Sequence, residues 1–478
     1  MRRKRKMILF SHVCNPTSIT GAEKLLLFFT REMMPFYDCV LVVPGEGVLS
    51  RQARAHGIKV VVQPCPLFFL IYDPPADLPD QLERLKQCAE LPKLIRLLKS
   101  ERPDVVLTNT CVHILPAVAA KTLHIPVVWK ITETINENAN TAQSVALIDR
   151  YSDLIVGISN TTMRSFRGDA IRRKIVILPP SWRMEEFEPE KWPAARKSRR
   201  NQLGIAESTR LIGYISTFIN PEKGLEHFIK MSLQICEKFA HTQFIIVGSP
   251  RDMDYYNRCL AMIQRSKHAH RFRFSGFEDS IQAIYPAMDI LVVPSLVQEG
   301  FGMTALEGLI FGKPVITYRS GGLSEIQSAT GNDRYVVEQG NVEQLTACVS
   351  ELLADPHAEA RVGRSNHQTV QSMFGIESYR KNLNHLAVRI NALSPPRPRR
   401  ALSARRTGKT MRLRRLMRVR KQRAARLGRK LRLKRKAAIA RKRVAAAKRK
   451  SARRRIGKRI NVRRRLANRK RKKVRTRV

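Results

Sequence analysis

The residues best suited to chemistry lie in one segment, Pro294-Ser295-Leu296-Val297-Gln298-Glu299-Gly300-Phe301-Gly302-Met303-Thr304-Ala305-Leu306-Glu307-Gly308. Two carboxylates, Glu299 and Glu307, stand either side of a Gly-Phe-Gly turn. Glycine lets a backbone approach a ligand closely, and the free N–H groups opening a helix, at its positive dipole end, suit a diphosphate. The pattern predicts a helix that opens near Met303 and stops at Gly312 ahead of Pro314. Glu299 then sits at the helix mouth and Glu307 about one turn inside, both as acceptors for sugar and ribose hydroxyls. A hydrolytic pair is the competing chemistry. Eight residues of helix separate backbones by roughly 12 Å, whereas retaining glycosidases hold their carboxyls about 5 Å apart, so the spacing favours ligand holding.

Positioning such a segment requires a rigid frame. Short apolar, β-branched runs alternate with helical patterns, the signature of parallel βαβ units. Strands are predicted at Met7–Ser11, Asp38–Val43, Lys59–Val62, Val105–Asn109, Val127–Ile131, Leu154–Ile158 and Lys174–Leu178, then at Arg210–Ile215, Gln243–Val247, Arg271–Ser275, Ile290–Pro294 and Pro314–Tyr318. Predicted helices include Ala22–Met34, Leu91–Ser100, Leu225–Phe239 and Thr304–Phe311. The fold class is α/β: two Rossmann-like, doubly wound domains facing a cleft, with ligands at the carboxyl ends of their strands. The polar stretch Glu188–Asn201 marks the break. Domains are expected at residues 1–187 and 188–375, with 376–393 returning as a C-terminal helix to the first.

The Glu299…Glu307 segment resembles the Glu-x7-Glu signature of the retaining glycosyltransferases of the GT-B fold, family 4. Further pieces arrive in matching order. Pro221-Glu222-Lys223-Gly224 resembles that family's Pro-x-Lys-Gly turn, and Gly321-Gly322-Leu323-Ser324-Glu325-Ile326 its Gly-Gly-x-x-Glu-Ile turn. Phe244-Ile245-Ile246-Val247-Gly248 is similar to the strand and glycine before the nucleotide-base pocket, and Gly276-Phe277 to the loop beside that base. In the first half, Thr20-Gly21-Ala22-Glu23 resembles the Gly-Gly-x-Glu loop facing the cleft, and Arg102–Asn109 a Pro-Asp strand start. The resemblance covers roughly residues 7–393.

It implies that Glu299 contacts the donor sugar, with the amides of Gly300, Phe301 and Gly302 nearby. Lys223 neutralises the departing nucleoside diphosphate, and Glu307 holds the ribose hydroxyls. Gly21, Thr217, Gly248 and Phe277 complete the expected donor site. No cofactor and no metal are implied, and the anomeric configuration is retained. Preorganised donors facing the charge that develops on the leaving phosphate are the expected catalytic device. Two stretches depart from the pattern. Gly213–Asn220 lacks the arginine that many members carry before the Lys-Gly turn, and Thr132, between Lys130 and Glu133, stands where many carry a cleft histidine. Asp252-Met253-Asp254 imitates a metal-binding Asp-x-Asp but is placed to cap a helix. His12, His113 and Gly45-Glu46-Gly47 read as structural.

Charge separates the chain into two parts. The 478 residues carry 89 Lys+Arg against 39 Asp+Glu, a net of +50. Residues 395–478 hold 41 of the basic groups and no acid, which leaves a body of net +9. The tail, 394–478, has no Phe, Tyr or Trp and too little apolar area to offset roughly 1–2 kcal/mol per residue of backbone entropy, so disorder is expected there. Its partner is expected to be a polyanion bound by counterion release: nucleic acid, an anionic membrane surface or an acidic polymer. The eight scattered cysteines form no zinc or disulfide pattern. No apolar run spans a bilayer, and Met7–Phe10 behind the basic leader is too short for a signal sequence. A cytoplasmic enzyme is expected, held peripherally at a membrane, nucleoid or spore surface by its tail.

The leading expectation is therefore transfer from a nucleoside-diphosphate sugar to a glycan, small-molecule or cell-envelope acceptor. The alternative is a transferase fold without catalysis, acting as a polyanion-binding protein; a sugar-nucleotide epimerase is a third option. Specificity for donor base, sugar, linkage and acceptor is expected to lie in loops such as Pro66–Asp80 and Asn136–Ala146.

Overall fold

Runs of Val, Ile and Leu without polar alternation make strands that must be covered on both faces. In the computed structural model, which describes residues 4–393 except 279 and 356, these runs build two all-parallel sheets. The first comprises β1 (Arg5–Phe10), β2 (Tyr37–Val43), β3 (Lys59–Val62), β4 (Val105–Asn109), β5 (Val127–Ile131), β6 (Leu154–Gly157) and β7 (Ile175–Ile177), in the order β3-β2-β1-β4-β5-β6-β7. The second comprises β8 (Arg210–Ile219), β9 (Thr242–Pro250), β10 (Phe272–Ser275), β11 (Ile290–Val293), β12 (Val315–Tyr318) and β13 (Val336–Val337), in the order β10-β9-β8-β11-β12-β13. The order reverses at β1/β4 in one sheet and at β8/β11 in the other. Such a reversal opens a crevice beyond the carboxyl ends of the strands. The polybasic tail, and the disorder expected of it, lie outside the described residues.

Most strands fall within a residue or two of their predicted bounds; two run longer. β8 and β9 continue to Ile219 and Pro250 because their pairing resumes, after an irregularity between Ile215 and Phe218, as Phe218↔Ser249 and Ile219↔Pro250. These prolonged ends form a wall above the crevice. The two-residue β13 is too short to announce itself in sequence.

Each sheet buries both faces. In the first, Ile8, Phe10, Val106 and Trp129 point one way and Met7, Leu9, Leu107 and Val128 the other. The helix Ile376–Ala392 sets Tyr379, Leu383, Leu386 and Ile390 into this second layer, far from its neighbours in the chain. Its end is fixed by Asn391, which accepts a 2.9 Å hydrogen bond from the Tyr37 hydroxyl.

The polar stretch Glu188–Asn201 contains most of a helix, Trp192–Leu203, with its charge turned inward. Arg200 is 1% exposed and meets Asp289 at 3.2 Å, while Arg196 meets the other Asp289 oxygen at 2.8 Å. Asp289, itself buried, also accepts from the Leu211 amide at the start of β8. The arginines that make this segment look like a linker thus bolt it to the second sheet. Removing one partner strands a buried charge, at a cost of about 3–5 kcal/mol. Asp289→Ala is expected to lower unfolding stability by that amount in urea titration, whereas Glu207→Ala, at the solvent end of the same cluster, should change it little.

Candidate functional site

The Pro221–Lys223 turn ends at Gly224, whose φ of +71° favours glycine. A Cβ there would lie 1.9 Å from the Pro294 carbonyl, so the turn packs directly on the end of β11. This contact brings Lys223 beside the other half of the site. Its Nζ lies 2.6 Å from Glu299 Oε1, and the Ser295 hydroxyl donates to the same oxygen at 2.7 Å. Gly302, at φ +103°, turns the chain into the helix Met303–Ile310. The first amides of a helix have no intrahelical acceptor, and here Gly302, Met303 and Thr304 open onto the cavity that holds Lys223 and Glu299.

That cavity, about 480 Å³, is walled by both halves of the body, with Gly21, Thr132 and Glu133 on one side and Thr217, Arg251 and Glu299–Gly302 on the other. It adjoins a second cavity of about 580 Å³, with which it shares Gly21, Thr217, Phe218, Met303 and Thr304. The second contains Gly248, Phe277 and Glu307. All ten residues expected at the site therefore line one or other cavity. Their modes of contact differ. Phe301 is buried against Phe374, leaving its backbone for a ligand. Gly248 serves packing as well, since a Cβ would meet the Ser216 carbonyl at 1.9 Å. At Gly21 a Cβ would meet nothing within 4 Å, so that backbone faces open space.

Glu307 accepts a 2.7 Å hydrogen bond from the Tyr285 hydroxyl. Burial pushes its carboxyl above the usual range, opposed by that bond and by the charge of Lys24. A desolvated carboxylate with spare lone pairs gains from neutral hydroxyl donors. Sequence reasoning did not single out Tyr285, Ser295 or Arg251, which touch these carboxylates or share their cavity from 22, 4 and 48 residues away.

Three other expectations can be placed. Asp252 caps the helix Met253–Gln264, accepting from the Tyr255 amide at 2.9 Å. Glu325, in the Gly-Gly turn, reaches across to the first half and accepts from the amides of Asn160 at 2.9 Å and Thr161 at 2.5 Å. The segments Pro66–Asp80 and Asn136–Ala146 form a joined pair: the Asn136 amide donates to the Tyr72 carbonyl at 2.9 Å, and Asn138 Nδ2 to the Pro74 carbonyl at 3.1 Å.

Beneath the first-half wall is a set of buried polar groups at the carboxyl ends of β1, β4 and β5. Burial holds His12 down at about 4 and His113 at about 3, so both are neutral imidazoles. Lys130 Nζ has no hydrogen-bond partner, and burial lowers it to about 8, opposed by Glu133. Glu133, pushed upward by burial, accepts from the Thr132 hydroxyl at 2.9 Å and the Cys111 amide at 3.1 Å. Thr132, at the position of the absent histidine, thus orients Glu133 at the cavity edge.

Comparison with known proteins agrees with this fold. Residues 209–355 match the family described as glycosyl transferases group 1. The chain is 29% identical over 255 residues to a GDP-mannose-dependent monoacylated alpha-(1-6)-phosphatidylinositol monomannoside mannosyltransferase of Corynebacterium glutamicum, covering 51% of this chain and 64% of that protein. It is 29% identical over 202 residues to the 2-deoxystreptamine glucosyltransferase of Streptomyces kanamyceticus, covering 41% and 50%. The chain thus spans about half to two thirds of the length of these curated relatives. Among solved structures, Anabaena Alr3699/HepE in complex with UDP superposes with a TM-score of 0.66 at 19% identity, over 80% of this chain and 100% of that one. A glycosyltransferase from Rickettsia africae gives 0.66 at 16%, over 82% and 100%. Two parallel Rossmann-like sheets about a cleft define the GT-B fold. Residues 209–355 thus carry the group 1 glycosyltransferase match, within a body that has the GT-B fold. Among the described residues, no helix is long and apolar enough to cross a membrane.

Lys130 gives the site region a pH signature. Its folded value of about 8 lies below the ordinary 10.5, so between those values the folded protein binds fewer protons than the unfolded chain. Stability from this group therefore rises as pH climbs from about 8 to 10.5 and is lowest below 8. Lys130→Met is expected to raise the thermal midpoint at pH 7 and to flatten that rise; an unchanged pH profile would contradict the assignment.

Proposed function

We propose that the protein is a retaining glycosyltransferase that moves a hexosyl group from a nucleoside-diphosphate sugar to an acceptor hydroxyl. The observation that carries this reading is the Lys223–Glu299 pair, 2.6 Å apart, at the mouth of the helix Met303–Ile310. A cation, a sugar-binding carboxylate and a helix start converge where a sugar diphosphate would lie, and the adjoining cavity holds Glu307 for ribose and Phe277 for the base. Without donor, Lys223 and Glu299 satisfy one another. Donor binding exchanges that pair for a phosphate oxygen on Lys223 and a sugar hydroxyl on Glu299.

In the reaction, the bond from the sugar C1 to the diphosphate oxygen breaks and its electron pair leaves with the nucleoside diphosphate. The acceptor hydroxyl bonds to C1, and its proton passes to the released diphosphate. Negative charge grows on the leaving group, and Lys223 with the helix-start amides meets it in a cavity walled from water on two sides. The acceptor approaches from the wall that carries Thr132 and Glu133, bounded by the joined segments 66–80 and 136–146. Relatives that act on phosphatidylinositol mannosides and on 2-deoxystreptamine fit either a lipid-linked or a soluble polyol acceptor.

The tail adds a second function to this reading. Forty-one cations without an acid bind a phosphate-rich or otherwise polyanionic surface through counterion release, which localises the enzyme near its acceptor.

Two measurements test these assignments. Glu299→Ala and Lys223→Ala are each expected to lower donor-dependent transfer, or slow donor hydrolysis, by about 10²–10³-fold; full activity in both removes the site. Truncation after Ser394 is expected to abolish salt-sensitive binding to DNA or anionic vesicles while leaving donor turnover intact. Retained binding would place the polyanion site in the body.

A further inference from the structure

Among the described residues, the cavity that holds Lys223 has one other cation in its wall, Arg251. Its origin is the prolonged end of β9. The Arg251 amide donates to the Ile219 carbonyl at 3.0 Å, which ties the residue to the end of β8 and turns its side chain out over the crevice. There the guanidinium carbon lies 6.0 Å from the centre of the Phe218 ring. Phe218 is 49% exposed, a large apolar surface left in water at the rim of the cavity. An arginine stacked over such a ring is held in a narrow set of rotamers.

The two cations differ in what they already bind. Lys223 is engaged by Glu299. Among the described residues no carboxylate pairs with Arg251, and its guanidinium makes no hydrogen bond. A nucleoside-diphosphate sugar carries roughly two negative charges and the released nucleoside diphosphate closer to three, since a terminal phosphate has a second pKa of about 6. One lysine already neutralised by a glutamate cannot balance them. Arginine is the residue whose planar donor fork matches a phosphate bidentately. The stretch Gly213–Asn220, next to the Lys-Gly turn, contains no arginine, and the β8–β9 pairing delivers one to the same cavity from further along the chain.

We propose that Arg251, braced on Phe218, is the second arm of a diphosphate clamp, reaching the donor from the end of β9 in the cavity that holds Lys223. The proposal rests on the donor-binding reading above and goes beyond it by naming the residue that binds the leaving group. The clamp discriminates by charge: it favours the released diphosphate over the donor, so its removal weakens product binding at least as much as donor binding.

The test is calorimetric titration of the full-length protein with UDP and with GDP, in parent, Arg251→Ala, Arg251→Lys and Phe218→Leu. The expected result is a loss of affinity of about tenfold or more in Arg251→Ala for whichever nucleotide the parent binds, since the interaction is charge-assisted. Part of this loss should be recovered in Arg251→Lys, and Phe218→Leu should show a smaller loss. The slope of log affinity against log salt should also fall in Arg251→Ala. Unliganded thermal midpoints should coincide, because the side chain makes no hydrogen bond within the body. An Arg251→Ala protein that binds within about fivefold of the parent overturns the clamp and leaves the donor site standing. A parent that binds neither nucleotide removes the donor reading, and the clamp with it.

Discussion

The site depends on one backbone constraint, the threading of residues 299–302 between two halves of the molecule. On one side, Glu299 forms a parallel bridge with Gly321 and its carbonyl accepts from the Gly322 amide at 2.8 Å. On the other, the Gly300 carbonyl accepts from the Ser159 hydroxyl at 2.5 Å, and a Cβ at Gly300 would lie 2.6 Å from the Thr132 carbonyl. No side chain fits at these points. Glu299 is thereby fixed through its main chain, which leaves its carboxylate free to serve Lys223, Ser295 and a ligand. The same turn that grips Glu299 also carries Glu325, which caps the Asn160–Thr161 corner of the first half. Domain approach and carboxylate placement are consequently one structural event.

Much of this arrangement was legible in sequence because it is written in residues with narrow conformational uses. Gly302 before a helix, Gly312 and Pro314 after it, and the Pro-Glu-Lys-Gly turn are local signals, and apolar runs of four to six residues mark parallel strands. Contacts that depend on tertiary pairing were not legible. Ser295, Tyr285 and Arg251 reach the site through packing of the β11 end, the 285–287 turn and the β8–β9 ends, and nothing in their local sequence distinguishes them from loop residues. The helix Trp192–Leu203 misleads for a physical reason. Its arginines resemble a solvated linker, yet Arg196 and Arg200 are consumed by Asp289, ninety residues away in sequence and buried under the second sheet. Charge in sequence reports exposure only when no buried counter-charge is waiting.

The body also separates polar groups saturated within the fold from polar groups left open to the cavities. Asp289 is saturated by two arginines and a backbone amide, so it has nothing left to offer a ligand. Glu307, Arg251 and the helix-start amides retain donors or acceptors that face the cavities. The buried row His113, His12 and Lys130 is a third case. Burial holds the two histidines neutral and lowers Lys130 to about 8, and Glu133 lies beside Lys130.

Charge is divided between body and tail on the same principle of use. The body's net of +9 is small for its size, and its cations near the cleft are individually placed: Lys223 on Glu299, Lys24 near Glu307, Arg251 over Phe218. Placement matters there because a diphosphate is a compact dianion read at hydrogen-bond range. The 41 Lys and Arg residues of 395–478 stand without one Asp or Glu, so no neighbouring acid in that stretch of sequence singles out any one of them.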